Sequence, residues 1–333
     1  MQRQDTYISW IKQGAKKLET FQNEEEKYKG CFCYPYWRKQ TTYVNSRWQE
    51  ASLTFAWLYK KTGNSAYKEI AQHGVAYWCR LQHRKGSFPE YSRLDSSFAA
   101  TAFTTLAMAE TAKKIPFTPN QHSTLLKAAD WLLENDELTY TNQQAAAAAA
   151  LFSVCNLTEN QRYFIAAQKK LAKVFSNQHT HGYYTEKNGF DLGYSTLTLE
   201  MLGISYILSP HEKILSSAQK FIDFILTNKA PSHNIRGTTW IIIDGFEIFA
   251  DKVRNGKKAL LLMLKHPHIK HLGHDQNLCT DLYRYCWAHD HATANLNHGK
   301  LNEHYPTQKN SKPSKLLNPL RPFGLHNIRN LLQ

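Results

Sequence analysis

At 333 residues the chain can bury a large core. Its Lys and Arg outnumber Asp and Glu by 41 to 27, a formal net charge of +14 with 16 histidines besides, which points to an acidic partner. No apolar run reaches the ~18 residues of a membrane-crossing helix, and the opening MQRQDTYISWIKQGAKKLE lacks the apolar core of a signal peptide; a membrane span is therefore not expected, and a cytoplasmic location is.

The predicted elements are helical nearly throughout. A first helix is expected at about 5–20. Trp48, Ala51, Ser52, Phe55, Leu58 and Tyr59 form one face at helical spacing, Gly63-Asn64 ends it, and Ser65 opens a partner helix with Ile70, Gly74, Trp78 and Leu81 inward. Further helices are predicted at about 96–113, 122–136, 142–155, 159–178, 192–207, 211–228, 240–254, 257–266 and 275–291. Thr158-x-x-Gln161 reads as a capping box, and Ser209-Pro210 as an N-cap before a first-turn proline. The six alanines at 145–150 suit an inner helix that its neighbours approach closely. Gly and Pro are sparse and no linker interrupts the middle, so residues 1–303 are expected to form one domain; residues 304–333, polar, basic and punctuated by proline, read as a tail.

One segment occurs twice. Gln82, His83, Gly86, Phe88, Glu90, Asp95 and Phe98 align without gaps on Gln178, His179, Gly182, Tyr184, Glu186, Asp191 and Tyr194, 96 positions later, and five of the seven pairs are identical. Each copy joins the end of one helix to the start of the next. Twelve helices make six hairpins of ~50 residues, and the repeat offset equals two of them. The expected fold is all-α, an α/α toroid of about six helical hairpins.

Gln82-x-x-x-Gly86-x-Phe88 and Gln178-x-x-x-Gly182-x-Tyr184 resemble the QW repeat of the squalene-cyclase and prenyltransferase toroids, with Phe and Tyr where Trp is usual. That resemblance implies that the glutamines tie helix ends together and the aromatic rings pack on them. Neither DxDD nor DDxxD is present, so cyclase chemistry does not follow. GSFPEYSRLDSSFAATAFTTLAMAE, GYYTEKNGFDLGYSTLTLEMLG and RGTTWIIIDGFEIFA also resemble motifs of bacterial toroid proteins of surface-polysaccharide synthesis, related in style to heparinase-type lyases and uronyl epimerases. This second resemblance implies a carbohydrate setting.

The two turns carry Glu90 and Tyr91 in one copy and Tyr184 and Glu186 in the other. If both open on one mouth, paired carboxylates are available for acid–base chemistry on a saccharide. The structural alternative has the glutamates bonding turn amides while Asp95 and Asp191 cap the following helices. Among residues outside the repeat, His233 and Arg236 lie in a polar loop, where Arg236 suits a carboxylate or phosphate clamp. Asp281, Tyr283, Arg284, His289 and His291 share one late helix, and Tyr283 and His289 offer an acid and a base of the kind lyases and epimerases use. The alternative is an exposed Asp281–Arg284 pair with both histidines on a solvated helix end.

The catalytic candidates are Glu90, Tyr283 and His289; the substrate-binding candidates are Tyr91, Tyr184, Glu186, His233, Arg236, Asp281, Arg284 and His291. Cysteines and histidines near residues 31–33 and 271–291 offer zinc ligands, but their spacing matches no compact zinc motif, so no metal and no cofactor is expected. The expected partner is an anionic saccharide or polysaccharide, processed by lyase, epimerase or hydrolase chemistry; nucleic acid is not the expected partner. The rival expectations are a glycan- or protein-binding toroid without turnover, and an isoprenoid enzyme on the same fold.

Overall fold

The computed structural model describes residues 3–22, 24–32, 45–187, 189–227, 241–265 and 278–292. Twelve α-helices run through them: α1 (Arg3–Glu19), α2 (Ala51–Thr62), α3 (Ser65–Leu81), α4 (Phe98–Ala112), α5 (Pro119–Glu134), α6 (Thr141–Thr158), α7 (Gln161–Ser176), α8 (Leu192–Leu208), α9 (Glu212–Leu226), α10 (Asp244–Phe249), α11 (Gly256–Leu264) and α12 (Leu278–His291). A 3₁₀ turn at Ser46–Glu50 leads into α2, and a two-stranded ribbon, β1 (Thr185–Glu186) with β2 (Gly189–Phe190), lies just before α8. Tail residues 304–333 and the candidates His233 and Arg236 lie outside the described residues.

The even-numbered helices form a closed inner ring. Each packs on the next, α2 on α4, α6, α8, α10 and α12 in turn, and α12 returns to α2. The odd-numbered helices form the outer layer, with α3 on α2, α5 between α4 and α6, α7 on α6, α9 on α8, α11 on α10 and α1 on α12. The first outer helix thus covers the last inner one, which locks the ring.

The sequence explains the layering. Inner helices must be apolar on nearly every side, and α4, α6 and α8 are buried along almost their whole length, with Ala145 to Ala150 fully enclosed. Outer helices need only one apolar stripe: in α9 it is Ile214, Ala218, Phe221, Ile222 and Ile225. Burial of this kind is worth about 25 cal/mol per Å² of apolar surface.

Three helix boundaries differ from expectation. Helix α6 runs through Thr158, Glu159 takes the left-handed conformation, and Asn160 rather than Thr158 caps α7 by accepting from the Arg162 amide. The capping box sits instead at Thr118 and Gln121, with Pro119 opening α5. Before α9 the cap is His211, whose Nδ1 accepts from the Lys213 amide, not Ser209.

The repeated turns are staples. Gln82 Nε2 donates to the carbonyls of Gly86 at 3.2 Å and Thr124 of α5 at 2.8 Å; Gln178 Nε2 does the same to Gly182 at 2.8 Å and Ser217 of α9 at 2.9 Å. A third copy joins α1 to α2, where Gln22 Nε2 reaches Gly30 and, at 2.9 Å, Ile70 of α3. Four extra residues between Gln22 and Gly30 hid that copy from a gapless comparison. Gly30, Gly86 and Gly182 have φ of +86°, +103° and +105°, and a Cβ at each would lie 2.2–2.3 Å from a carbonyl oxygen of the next outer helix. Phe32, Phe88 and Tyr184, two residues on from each glycine, are fully buried.

Candidate functional site

The inner helices run parallel, so their N-termini open on one mouth of the ring. Several contacts fix this arrangement. The Ser46 amide before α2 donates to Pro89 O before α4 at 3.2 Å. Thr141 at the start of α6 donates its hydroxyl to Thr185 O before α8, and the Ile242 amide before α10 donates to Thr196 of α8 at 3.2 Å. At the opposite end, Lys61 late in α2 pairs with Asp290 late in α12 at 2.8 Å.

Charged side chains fill the axis below the mouth. Arg284 Nε contacts both carboxylate oxygens of Glu200, at 2.9 and 3.1 Å, while its Nη1 donates to Asp281 at 2.6 Å. Asp244, fully buried at the start of α10, faces Glu200. Arg47 donates from Nε to Glu50 at 2.8 Å, and its guanidinium carbon sits 4.1 Å from the Phe103 ring centroid of α4. Arg47 and Arg284 are electrostatic neighbours, and both act on Glu50, Asp281 and Tyr283.

Burial dominates the ionisation of this cluster. It raises Glu50 and Asp281 above the ordinary carboxyl range, although Arg47 and Arg284 respectively oppose the shift. It raises Glu200 to about 7 against the pull of Arg284, and raises Asp244 well above the usual value, with Glu200 adding to the effect. Tyr283 is likewise pushed well up, mainly by burial, and its buried hydroxyl has no hydrogen-bond partner among the described residues.

The repeated glutamates flank the cluster at the rim. Glu90 accepts from the Ser97 hydroxyl at 2.6 Å and is an electrostatic neighbour of Arg47, while both Asp95 oxygens accept from the Glu90 and Tyr91 amides at 2.9 Å. Ser97 caps α4, so Asp95 braces the turn instead of capping the helix. Glu186 accepts from the Asn142 amide at 3.2 Å and from Asn142 Nδ2 at 3.0 Å. Burial still lifts its carboxyl to about 8. Asp191 caps α8, and Tyr194 beside it, 39% exposed, has Asp191, Glu186, Tyr140 and Arg47 as electrostatic neighbours. Tyr91 projects outward, 61% exposed.

The sequence candidates therefore separate into three groups. Glu90, Glu186, Asp281, Tyr283 and Arg284 come together at the mouth, with Tyr91 on its rim; the Asp281–Arg284 pair is buried, contrary to the exposed alternative. Tyr184 lies between the layers, its hydroxyl 3.1 Å from Ser217 and its ring on Phe221. His289 and His291 sit at the far end of α12: His289 meets Trp57 edge-on and Asp290 at 3.0 Å, and His291 stacks on Trp287. Tyr283 and His289 are six residues apart on one helix, roughly 9 Å along its axis, so they face different levels of the ring.

Arg47, Glu50, Glu200 and Asp244 were not singled out from the sequence. For Glu200 and Asp244 the available signal was an acid in an apolar frame, as in LTLEMLG and IIIDGFEIF, because a charge buried there must find a partner. Among the described residues no three His, Cys, Asp or Glu side chains are grouped to hold a metal ion, and Cys79, Cys155 and Cys286 are free thiols. No described helix is long and apolar enough to cross a membrane. On the outer wall, a groove of about 650 Å³ between α5 and α7 is rich in cations, but Arg162 is paired with Asp130, and Lys170 and Lys173 with Asp136.

A family model described as the ulvan lyase N-terminal domain matches residues 17–200, more than half of the chain. The chain belongs to that family. The matched span runs from α1 through the repeated turns to Glu200, and so includes Arg47, Glu50, Glu90 and Glu186. No curated protein matches the chain. Among solved structures, an inactive variant of an α-1,6-mannanase of Salegentibacter sp. HEL1_6 in complex with α-1,6-mannotetrose is similar at 10% identity and a TM-score of 0.62, over 86% of this chain and 98% of that one. A glycosyl hydrolase family 88 protein from Bacteroides vulgatus is similar at 12% identity and a TM-score of 0.54, over 76% and 94% of the two chains. A polysaccharide lyase reaches 12% and 0.55, over 79% and 96%. These likenesses establish the α/α toroid shared with polysaccharide lyases and glycoside hydrolases, as expected from the repeat.

Proposed function

We propose that the ring mouth binds and degrades an anionic polysaccharide, cleaving it beside a uronate by elimination or hydrolysis. One observation carries the reading: two arginines, Arg47 and Arg284, are held among buried carboxyls and a tyrosine where six helix N-termini converge. Arginine next to a uronate carboxylate neutralises its charge and lowers the pKa of the adjacent C–H, the requirement for elimination. In that scheme a base removes the C5 proton, the electron pair forms the C4–C5 double bond, and the C4–O bond breaks as an acid protonates the leaving oxygen. Glu186, neutral up to about pH 8, suits the donor role, and Glu90 near Arg47 suits the acceptor. Membership of the ulvan lyase N-terminal domain family supports degradation over synthesis.

The test incubates the purified protein with ulvan, heparin and polygalacturonate, and with α-1,6-mannan as the neutral control. New reducing ends are expected from an anionic polymer alone, and an accompanying ultraviolet absorbance of the conjugated double bond identifies elimination. Cleavage of mannan only, or binding of anionic polymer without turnover, refutes the proposal; the second outcome favours a glycan-binding toroid.

A further inference from the structure

Arg47 differs from every other charge in the cluster. Arg284 uses Nε and Nη1 on carboxylates and its side chain is 6% exposed, whereas that of Arg47 is 19% exposed. Its hydrogen bonding is one-sided, because Nε donates to Glu50 and neither terminal nitrogen has a partner among the described residues. The plane is nonetheless held: Phe103 supports one face at 4.1 Å, and Glu50, fully buried at the end of the 3₁₀ turn, anchors the inner edge. Around it stand groups from three other inner-helix entrances: Glu90 before α4, Tyr194 at the start of α8, and Asp281 and Arg284 on α12. A guanidinium fixed at one edge and open at the other has lost much of the side-chain entropy that binding otherwise costs.

We infer that Arg47 is the carboxylate-reading residue of the mouth, its two terminal nitrogens taking the planar carboxylate of a uronate end-on, while Phe103 and Glu50 set the angle of the fork. This rests on the anionic-polysaccharide reading and adds the residue and the chemical group it recognises. A carboxylate matches the spacing of the two terminal N–H groups in one plane and receives two parallel hydrogen bonds. Arg284 already commits Nε to Glu200 and Nη1 to Asp281, so it has no pair of uncommitted nitrogens to offer a second carboxylate and serves instead to position the surrounding carboxyls.

The experiment measures binding of oligogalacturonate and oligoglucuronate, and of their methyl esters, to the wild-type chain, Arg47→Lys and Arg47→Gln by calorimetry, with melting temperature as the folding control. Wild type is expected to favour the acid over the ester by at least tenfold. Arg47→Gln is expected to abolish that preference while ester binding stays within about threefold, and Arg47→Lys is expected to restore only part of it, because an ammonium keeps the charge and loses the fork. An Arg47→Gln chain that melts like wild type and retains the acid-over-ester preference overturns the assignment and leaves the polysaccharide reading standing. A wild type that binds no acidic saccharide, sulfated ones included, overturns both. Binding of sulfated but not carboxylated saccharides, lost in Arg47→Gln, overturns the carboxylate assignment alone.

Discussion

Glu186→Gln should make the protein more stable in alkaline solution and leave it nearly unchanged in acid. The carboxyl is raised from an ordinary value of 4.5 to about 8, first by burial and then by Asp191, with Asn142 opposing. A raised folded value means that between about pH 5 and pH 8 the native chain holds a proton the unfolded chain has released. Unfolding free energy therefore falls as pH rises through that window. At about 1.4 kcal/mol per pKa unit the full effect is roughly 5 kcal/mol above pH 8, an upper bound that rim relaxation and water entry reduce to about 2–5 kcal/mol. Glutamine has the shape of the protonated acid: Oε1 still accepts from the Asn142 amide, and turning over the Asn142 side chain lets its Oδ1 accept from the new Nε2. The assay is urea unfolding of both chains at half-unit steps from about pH 5 to 9. Glu200 and Glu247, also raised to about 7, give both chains a common downward slope that cancels in the difference. Curves that stay parallel across the range refute the reasoning, since Glu186 would then be charged in the native state throughout.

Two further predictions follow from geometry. Gly182→Ala should cost about 2–4 kcal/mol, because φ is +105° and the added Cβ meets Lys220 O at 2.3 Å; Gly63→Ala, with φ +72° and nothing within 4 Å, should cost only about 1–2 kcal/mol. Denaturant midpoints check both, and equal losses would show that the close approach to α9 contributes nothing. Arg284→Met should destabilise by about 3–5 kcal/mol at pH 8 by leaving Glu200 and Asp281 without their cation. At pH 5, where those carboxyls are more nearly neutral in the folded chain, the loss should be smaller; a loss independent of pH would mean that Arg284 acts through packing alone.

The fold was legible because its signals are local and redundant. Apolar periodicity placed all twelve helices, and a gapless repeat linked two outer-to-inner turns. The misreadings were equally local. Thr158 looked like a cap because Gln161 follows at the right spacing, but the helix before it had not ended, and Asn160 is the residue whose side chain reaches a free amide. The site was less legible because ring closure is a long-range event. Tyr283 and Arg284 could be noticed as polar residues in an apolar helix, but their partners Glu200 and Asp244 come from other helices. Arg47 lies in a 3₁₀ turn with no periodic face to mark it as inward. His289 shares a helix with Tyr283 and reads as its neighbour in sequence, whereas helical rise carries it to the other end of the ring.

The parallel inner ring also explains where the charges fall. Each helix presents the positive end of its dipole and its unpaired amides at the mouth. Carboxyls gather there accordingly: Glu50 before α2, Glu186 on the first amides of α6, Asp191 capping α8, Asp244 opening α10 and Asp281 in the first turn of α12. Lys60, Lys61 and the pair Lys113–Glu110 occupy the opposite ends of α2 and α4. Dipoles and amides stabilise an ionised carboxyl, yet burial wins at Glu50, Glu186, Glu200, Asp244 and Asp281, all of which are raised. Where burial holds a carboxyl partly neutral, as at Glu186 and Glu200 with values of about 8 and about 7, that group cancels less of the positive potential of Arg47, Arg284 and the helix ends than an ionised one would. Burial of the acids therefore does more than position them: it leaves the mouth less negative than its carboxyls would make it if all were ionised, as the proposed binding of an anionic saccharide requires.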